Sequence, residues 1–127
     1  TMHRFHLALA AAMTLLALPA TSAAKSHKVD VTATAKFEGG KLAVVISGKP
    51  LGRCKGTAEL TSTGSIFRAK CKEGKIVVRV TFKNGDPERG TWKVSAGTGT
   101  YKGSKGKGNF TGNNSTLKYR MTGSISY

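Results

Sequence analysis

Acid and histidine are scarce in this chain. It holds 6 Asp and Glu against 21 Lys and Arg, and two of its three histidines, His3 and His6, stand in the opening segment. Beyond that segment only His27 remains, near the expected start of the folded part. A nucleophile needs a base within reach, and no such pair is placed by the sequence. Nor is a carboxylate couple for acid–base work. By period-two parity Asp30 opposes Val29 and Val31, Glu59 opposes Ala58 and Leu60, and Glu38, Glu73, Asp86 and Glu88 fall in expected turns. Cysteine is equally sparse. Cys54 and Cys71 form no CxxC pair, which speaks against redox catalysis and metal ligation. No metal site and no cofactor are expected. Aromatic residues are few, with a single tryptophan, and the tyrosines are not grouped with Lys or Arg into a base-stacking motif. The sequence carries no recognised nucleic-acid module.

Long hydrophobic runs are also missing, with one exception at the start. Thr1 stands ahead of Met2, where the natural chain is expected to begin. Arg4, with His3 and His6, gives a short positive opening, and an apolar run follows from Leu7 to Leu18. Pro19 breaks it, and small residues follow at Ala20, Thr21, Ser22, Ala23 and Ala24. Charged, apolar, then small is the order of a secretory signal. The run is too short to cross a bilayer as a helix, which takes ~20 residues. Residues 1–24 thus read as a signal peptide and 25–127 as a single β domain. The protein is expected to be exported, to the periplasm or the extracellular space, with no transmembrane segment in its mature chain.

Without the signal, 20 basic residues face 6 acidic ones, a net charge of about +14. The basic residues run from Lys25 to Arg120 without forming a block. Such a charge favours anionic partners such as acidic polysaccharide, lipid head groups or another polyanion. In an oxidising compartment Cys54 and Cys71 are expected to bridge. A hairpin turning near Thr61–Gly64 would place Cys54 opposite Cys71, Ala58 opposite Phe67 and Leu60 opposite Ser65.

Period-two alternation then fills the chain. Val29, Val31, Ala33, Ala35 and Phe37 alternate with polar residues, as a half-buried strand does. Ile76, Val78, Val80 and Phe82 repeat the pattern, as do Trp92, Val94 and Ala96. Leu117, Tyr119, Met121, Gly123, Ile125 and Tyr127 share one parity near the end. Leu42 to Ile46 is continuously apolar, which suits a strand covered on both faces or a strand end. Gly39-Gly40, Gly48–Gly52, Glu73-Gly74 and Asn84–Pro87 mark turns. About eight strands at short spacing, with no helical stripe, point to an all-β fold. The favoured form is a small antiparallel β-barrel, and the alternative is a β-sandwich.

Residues 91–112 carry glycines at 97, 99, 103, 106, 108 and 112, with aromatics at Tyr101 and Phe110. This segment resembles the strand, glycine loop, strand element of allene oxide cyclase and dirigent-type barrels. It is similar, too, to the corresponding element of small exported bacterial β-proteins of unassigned function. The resemblance covers about a fifth of the expected mature chain and implies a barrel. It carries no catalytic residue of those families onto this sequence. A phosphate-loop reading fails, because Lys102 stands where GxGxxG requires its third glycine and no helix follows. Lys102, Lys105 and Lys107 still make a local cationic patch, a candidate anion site. Trp92, by its alternation, is expected in the core, and its functional reading is a wall of a ligand cavity.

Three functions are open at this point. The first is a non-enzymatic exported barrel that binds anionic surface polymers or lipids. The second is a small-molecule carrier or a cyclase- or isomerase-like barrel. The third is a structural or inhibitory exported protein.

Overall fold

Alternation at period two becomes eight strands. They are β1 (Ser26–Glu38), β2 (Lys41–Lys49), β3 (Gly52–Leu60), β4 (Gly64–Cys71), β5 (Gly74–Lys83), β6 (Asp86–Gly97), β7 (Lys105–Asn113) and β8 (Lys118–Ser126). The structure is a computed structural model that describes residues 24–127. The signal-peptide reading of residues 1–24 lies outside the described residues, Ala24 excepted.

Every strand pairs antiparallel with its sequence neighbour, and β1 also pairs with β8 over Ser26–Thr34. The sheet closes as a barrel, so no strand is left as an outer edge open to other chains. Of the two architectures compatible with the alternation, the barrel is the one formed. Its turns follow the glycines. Asn84 and Gly85, both at positive φ, make the tight β5–β6 turn, the geometry a two-residue hairpin demands.

The β3–β4 hairpin has the register its side chains imply, with Ala58 opposite Phe67 and Leu60 opposite Ser65. Continued down the ladder, it brings Cys54 and Cys71 together, and they form a disulfide. Two local expectations need correction. The apolar run Leu42–Ile46 is not covered on both faces: Leu42, Val44 and Ile46 point inward, while Ala43 and Val45 are half-buried on the outer wall. Ala96 does not share the inward face of Trp92 and Val94. A bulge sets Val77 opposite Ala96 but Val78 opposite Val94, so the extra residue turns Ala96 outward.

The barrel interior is unequal along its axis. One end carries the β2–β3, β4–β5 and β6–β7 connections and the chain termini, and this end is closed. The 3₁₀ turn Gly99–Tyr101 carries Tyr101 under the barrel, where it is 1% exposed and packs edge-on against Tyr127. Tyr127 in turn stacks on His27 at 4.2 Å. Above this plug Val31, Ile46, Ile76, Trp92 and Ile125 fill the interior, leaving a void of only about 20 Å³.

The inward glycines of β7 make this filling possible. In register, Trp92 lies opposite Gly108 and Gly108 opposite Gly123. A methyl on Gly108 would come within 2.7 Å of the indole Nε1. The Thr122 carbonyl, nearest of all, and the indole ring together occupy the space a side chain would take, and the ring's N–H donates to that carbonyl at 3.0 Å. Gly112 yields its space to the Tyr119 ring in the same way.

Candidate functional site: an apolar cup and a cationic base

At the opposite end the interior is open. Ala35, Ala58 and Ser65 leave room that Phe67, Phe82 and Phe110 do not fill. The result is a cup of about 440 Å³, open at the mouth formed by the β1–β2, β3–β4, β5–β6 and β7–β8 hairpins. Met121 borders both the cup and the small void below it, and so belongs to the floor. Phe37 and Leu60 stand at the rim, 70% and 68% exposed, the two large apolar side chains most open to solvent among the described residues.

Polar groups in the cup are few. Ser65 is buried in its wall. On the rim, Tyr119 O–H donates to Asn114 Oδ1 at 2.7 Å, and the Asn114 backbone N–H donates to Glu88 Oε2 at 2.8 Å. This chain of bonds joins the β7–β8 turn to the start of β6. Burial, and secondarily the Glu88 charge, raises the Tyr119 phenol above the ordinary 10.0, so it stays a neutral donor. The lining offers hydroxyls, one amide and apolar surface, but no carboxylate, imidazole or amine. It is equipped to hold an apolar molecule with few polar atoms.

Charge is distributed along the same axis in the opposite sense. Three of the six acidic side chains are tied to arginines on the outer wall. Asp30 holds Arg120 through two bonds of 3.0 and 2.9 Å, Asp86 meets Arg89 at 3.2 Å, and Glu59 meets Arg68 at 3.8 Å. The Arg120 hydrogen bond, with the fields of Arg120 and Lys28, outweighs desolvation and holds the Asp30 carboxyl below the ordinary 3.8.

The basic residues outside these pairs divide unevenly. Lys36, Lys41, Lys83 and Lys118 lie in the mouth half beside Glu38 and Glu88, and Arg79 lies midway. Among the described residues the closed half holds twelve: Lys25, Lys28, Lys49, Arg53, Lys55, Lys70, Lys72, Lys75, Lys93, Lys102, Lys105 and Lys107. All twelve are exposed, and Glu73 is the single carboxylate near them outside the ion pairs. The mouth is thus nearly neutral and apolar, and the base is strongly cationic.

The residues singled out from sequence fall in separate places. Cys54 and Cys71 are buried near the closed end. Trp92 is 4% exposed and belongs to the filled half, bordering the 20 Å³ void and not the cup. Lys105 and Lys107 line a groove in the outer wall, where Lys93 joins them, while Lys102 sits on the adjoining 98–104 connection outside that lining. Among the described residues no group of three or more His, Cys, Asp or Glu side chains comes together, and no helix is long and apolar enough to cross a membrane.

Sequence reading kept a ligand cavity open as one possibility and placed Trp92 on its wall, but it did not find the residues that line the cup. Ala35, Ala58 and Ser65 are small inward residues of the mouth half, but small inward residues also stand in the filled half, at Ala33 and Ala69, so size along the chain did not mark the cup. Sequence reading also missed Lys93, which is 14 residues from Lys107 in sequence and opposite it across the ladder.

No family model, no curated protein and no solved structure matches the chain. The barrel implied by the resemblance of residues 97–112 is present. Nothing further attaches to that resemblance.

Proposed function

We propose that this protein is a non-catalytic binding barrel whose cup takes one small, mainly apolar molecule. The observation that carries this reading is the 440 Å³ apolar cup with two large hydrophobic side chains left exposed at its rim. Its volume lies in the lower part of the ~300–1,000 Å³ range of small-molecule sites, and an eight-stranded barrel is just wide enough to hold one small ligand. A ligand entering the cup would cover Phe37 and Leu60, whose exposure the fold leaves uncompensated. Ser65 and Asn114 supply at most a few hydrogen bonds, which sets the ligand's polarity low. The lining lacks the acid–base couple that a cyclase- or isomerase-like reaction calls for, so the reading is carriage and not turnover.

The test is titration with a neutral naphthylamine dye, whose emission rises in apolar surroundings. Saturable binding of one dye per protein is expected, little affected by salt. Ala58→Leu, which adds a branched side chain to the cup wall, should weaken binding at least tenfold while leaving the melting temperature unchanged or higher. Phe37→Ser with Leu60→Ser should weaken it too, at little cost to folding, because both side chains are already mostly exposed. Unsaturable dye uptake, or equal binding by Ala58→Leu, would remove the cup as the site.

A further inference from the structure

The β6–β7 ladder ends early. Its last pair is Lys93 opposite Lys107, yet β6 runs on to Gly97 and β7 begins at Lys105. The two strands part there, and the 98–104 connection spans the gap. The outer wall opens into a groove lined by Lys93, Lys105 and Lys107, with hydroxyls from Ser95, Ser104 and Ser124. Ser104 Oγ is shielded from solvent and has no hydrogen-bond partner among the described residues. A buried hydroxyl left unpaired is uncommon enough to ask for a partner.

The cations are also set against one another. Arg79 lies directly opposite Lys93, and Lys93 directly opposite Lys107, so three like charges sit abreast on three neighbouring strands. On the far side of the barrel Lys55 lies opposite Lys70 in the same manner. Like charges directly opposite in a sheet destabilise it, and no carboxylate is paired with any of these five side chains among the described residues. A bound polyanion would remove the repulsion.

We infer that the closed half of the barrel is a binding surface for a linear acidic polysaccharide, with the Lys93–Lys105–Lys107 groove as its principal seat. The arrangement of the charge selects this partner. The cations surround the barrel wall on successive strands, a shape that a flexible chain can follow and a flat bilayer cannot. The exposed apolar side chains that would enter a bilayer, Phe37 and Leu60, are at the other end. The groove presents lysines and small hydroxyl residues with no aromatic platform on which nucleobases could stack. A sulfated or carboxylated sugar chain requires neither. Bound in this way, the protein holds its cup away from the polymer, and the two sites work independently.

The experiment is a salt titration of binding to size-defined dextran sulfate, with phosphatidylglycerol vesicles and single-stranded DNA as parallel arms at equal charge. Binding should be tight at about 20 mM salt, where screening is weak, and log K should fall linearly with log salt. Lys93→Ser/Lys105→Ser/Lys107→Ser should lose at least tenfold in affinity. By analogy with nucleic acids, where each contact contributes roughly 0.7–0.9 to the slope, its slope should become shallower by about 2. Lys36→Ser/Lys41→Ser/Lys118→Ser, with the same change in net charge at the mouth, should lose less than about threefold. The groove variant should melt no lower than the wild type at low salt, since it sheds like-charge contacts. Equal losses from the two triple variants would show that net charge alone is read and overturn the assignment. So would tighter binding to vesicles or to DNA than to dextran sulfate. Dye binding by the cup should be the same in both variants, so this proposal and the cup stand or fall separately.

Discussion

Substituting Gly108 by alanine tests how the filled half of the barrel is built. The new Cβ would lie 2.7 Å from Trp92 Nε1 and 2.8 Å from Gly123 Cα, and it would press on the Thr122 carbonyl that the indole N–H bonds. Two costs follow. Overpacking a tight interior costs about 1–3 kcal/mol. Displacing a buried indole from its acceptor leaves both groups unpaired, about 1–3 kcal/mol more. Reduced entropy of the unfolded chain returns about 0.4–1 kcal/mol. The net loss should be about 1–6 kcal/mol; at a centre of about 3 kcal/mol this is a fall in melting temperature of about 10–25 °C for a domain near this size. Trp92 is the single tryptophan, so its emission reports both unfolding and any movement of the ring. Urea unfolding followed by that emission should show a lower midpoint and a shifted native spectrum. Gly106→Ala is the comparison. Its Cβ would approach nothing closer than 3.0 Å, so it should cost no more than about 1 kcal/mol. Equal midpoints for the two variants, or an unmoved native spectrum in Gly108→Ala, would refute the account of Gly108 as the seat of the indole.

Replacing Cys54 and Cys71 together with alanine opens the link across a sequence separation of 17 residues. It should cost about 3 kcal/mol by the chain-entropy estimate, lowering the urea midpoint by about 1–3 M; a loss under 1 kcal/mol would contradict it. Tyr101 and Tyr119 both ionise above the ordinary 10.0, each chiefly because burial disfavours the phenolate. Their folded-state values exceed their unfolded ones, so the stability they supply is full below about pH 10 and declines as pH rises through and beyond it. Urea midpoints at about pH 8 and pH 11 should fall by more in the wild type than in Tyr101→Phe/Tyr119→Phe, which cannot ionise there. The same decline in both proteins would place the alkaline loss elsewhere.

The strands, the disulfide and the hairpin register were legible because each rests on local order. Val29 to Phe37 can bury one face in only one way, and pairing Ala58 with Phe67 fixes where Cys54 meets Cys71. What escaped depends on relations that the one-dimensional pattern does not carry. The bulge that turns Ala96 outward inserts a single residue and leaves the local alternation intact. Trp92 was rightly placed inside, but its height along the barrel axis, in the filled half, follows from register summed over several strands. The cationic groove needs Lys93 beside Lys107, a contact made across the ladder. The even spread of lysines along the chain hid their gathering at one end, because antiparallel strands return each successive charge to the same level.

The cup and the cationic half, with its groove, are places where the chain departs from what folding alone would choose. A barrel selected only for stability would fill its mouth with larger residues than Ala35, Ala58 and Ser65, and would not leave Phe37 and Leu60 in water. It would place an acid between Arg79, Lys93 and Lys107, as it does between β1 and β8, where Asp30 meets Arg120. Sequences are locally consistent except where another demand intervenes, and stability is commonly given up where a site requires it. The two departures lie at opposite ends of one barrel and use separate side chains. Met121 and the residues packed below it keep them apart. An occupant of the cup and a polymer on the base would therefore bind without competing, each relieving a different strain built into the fold.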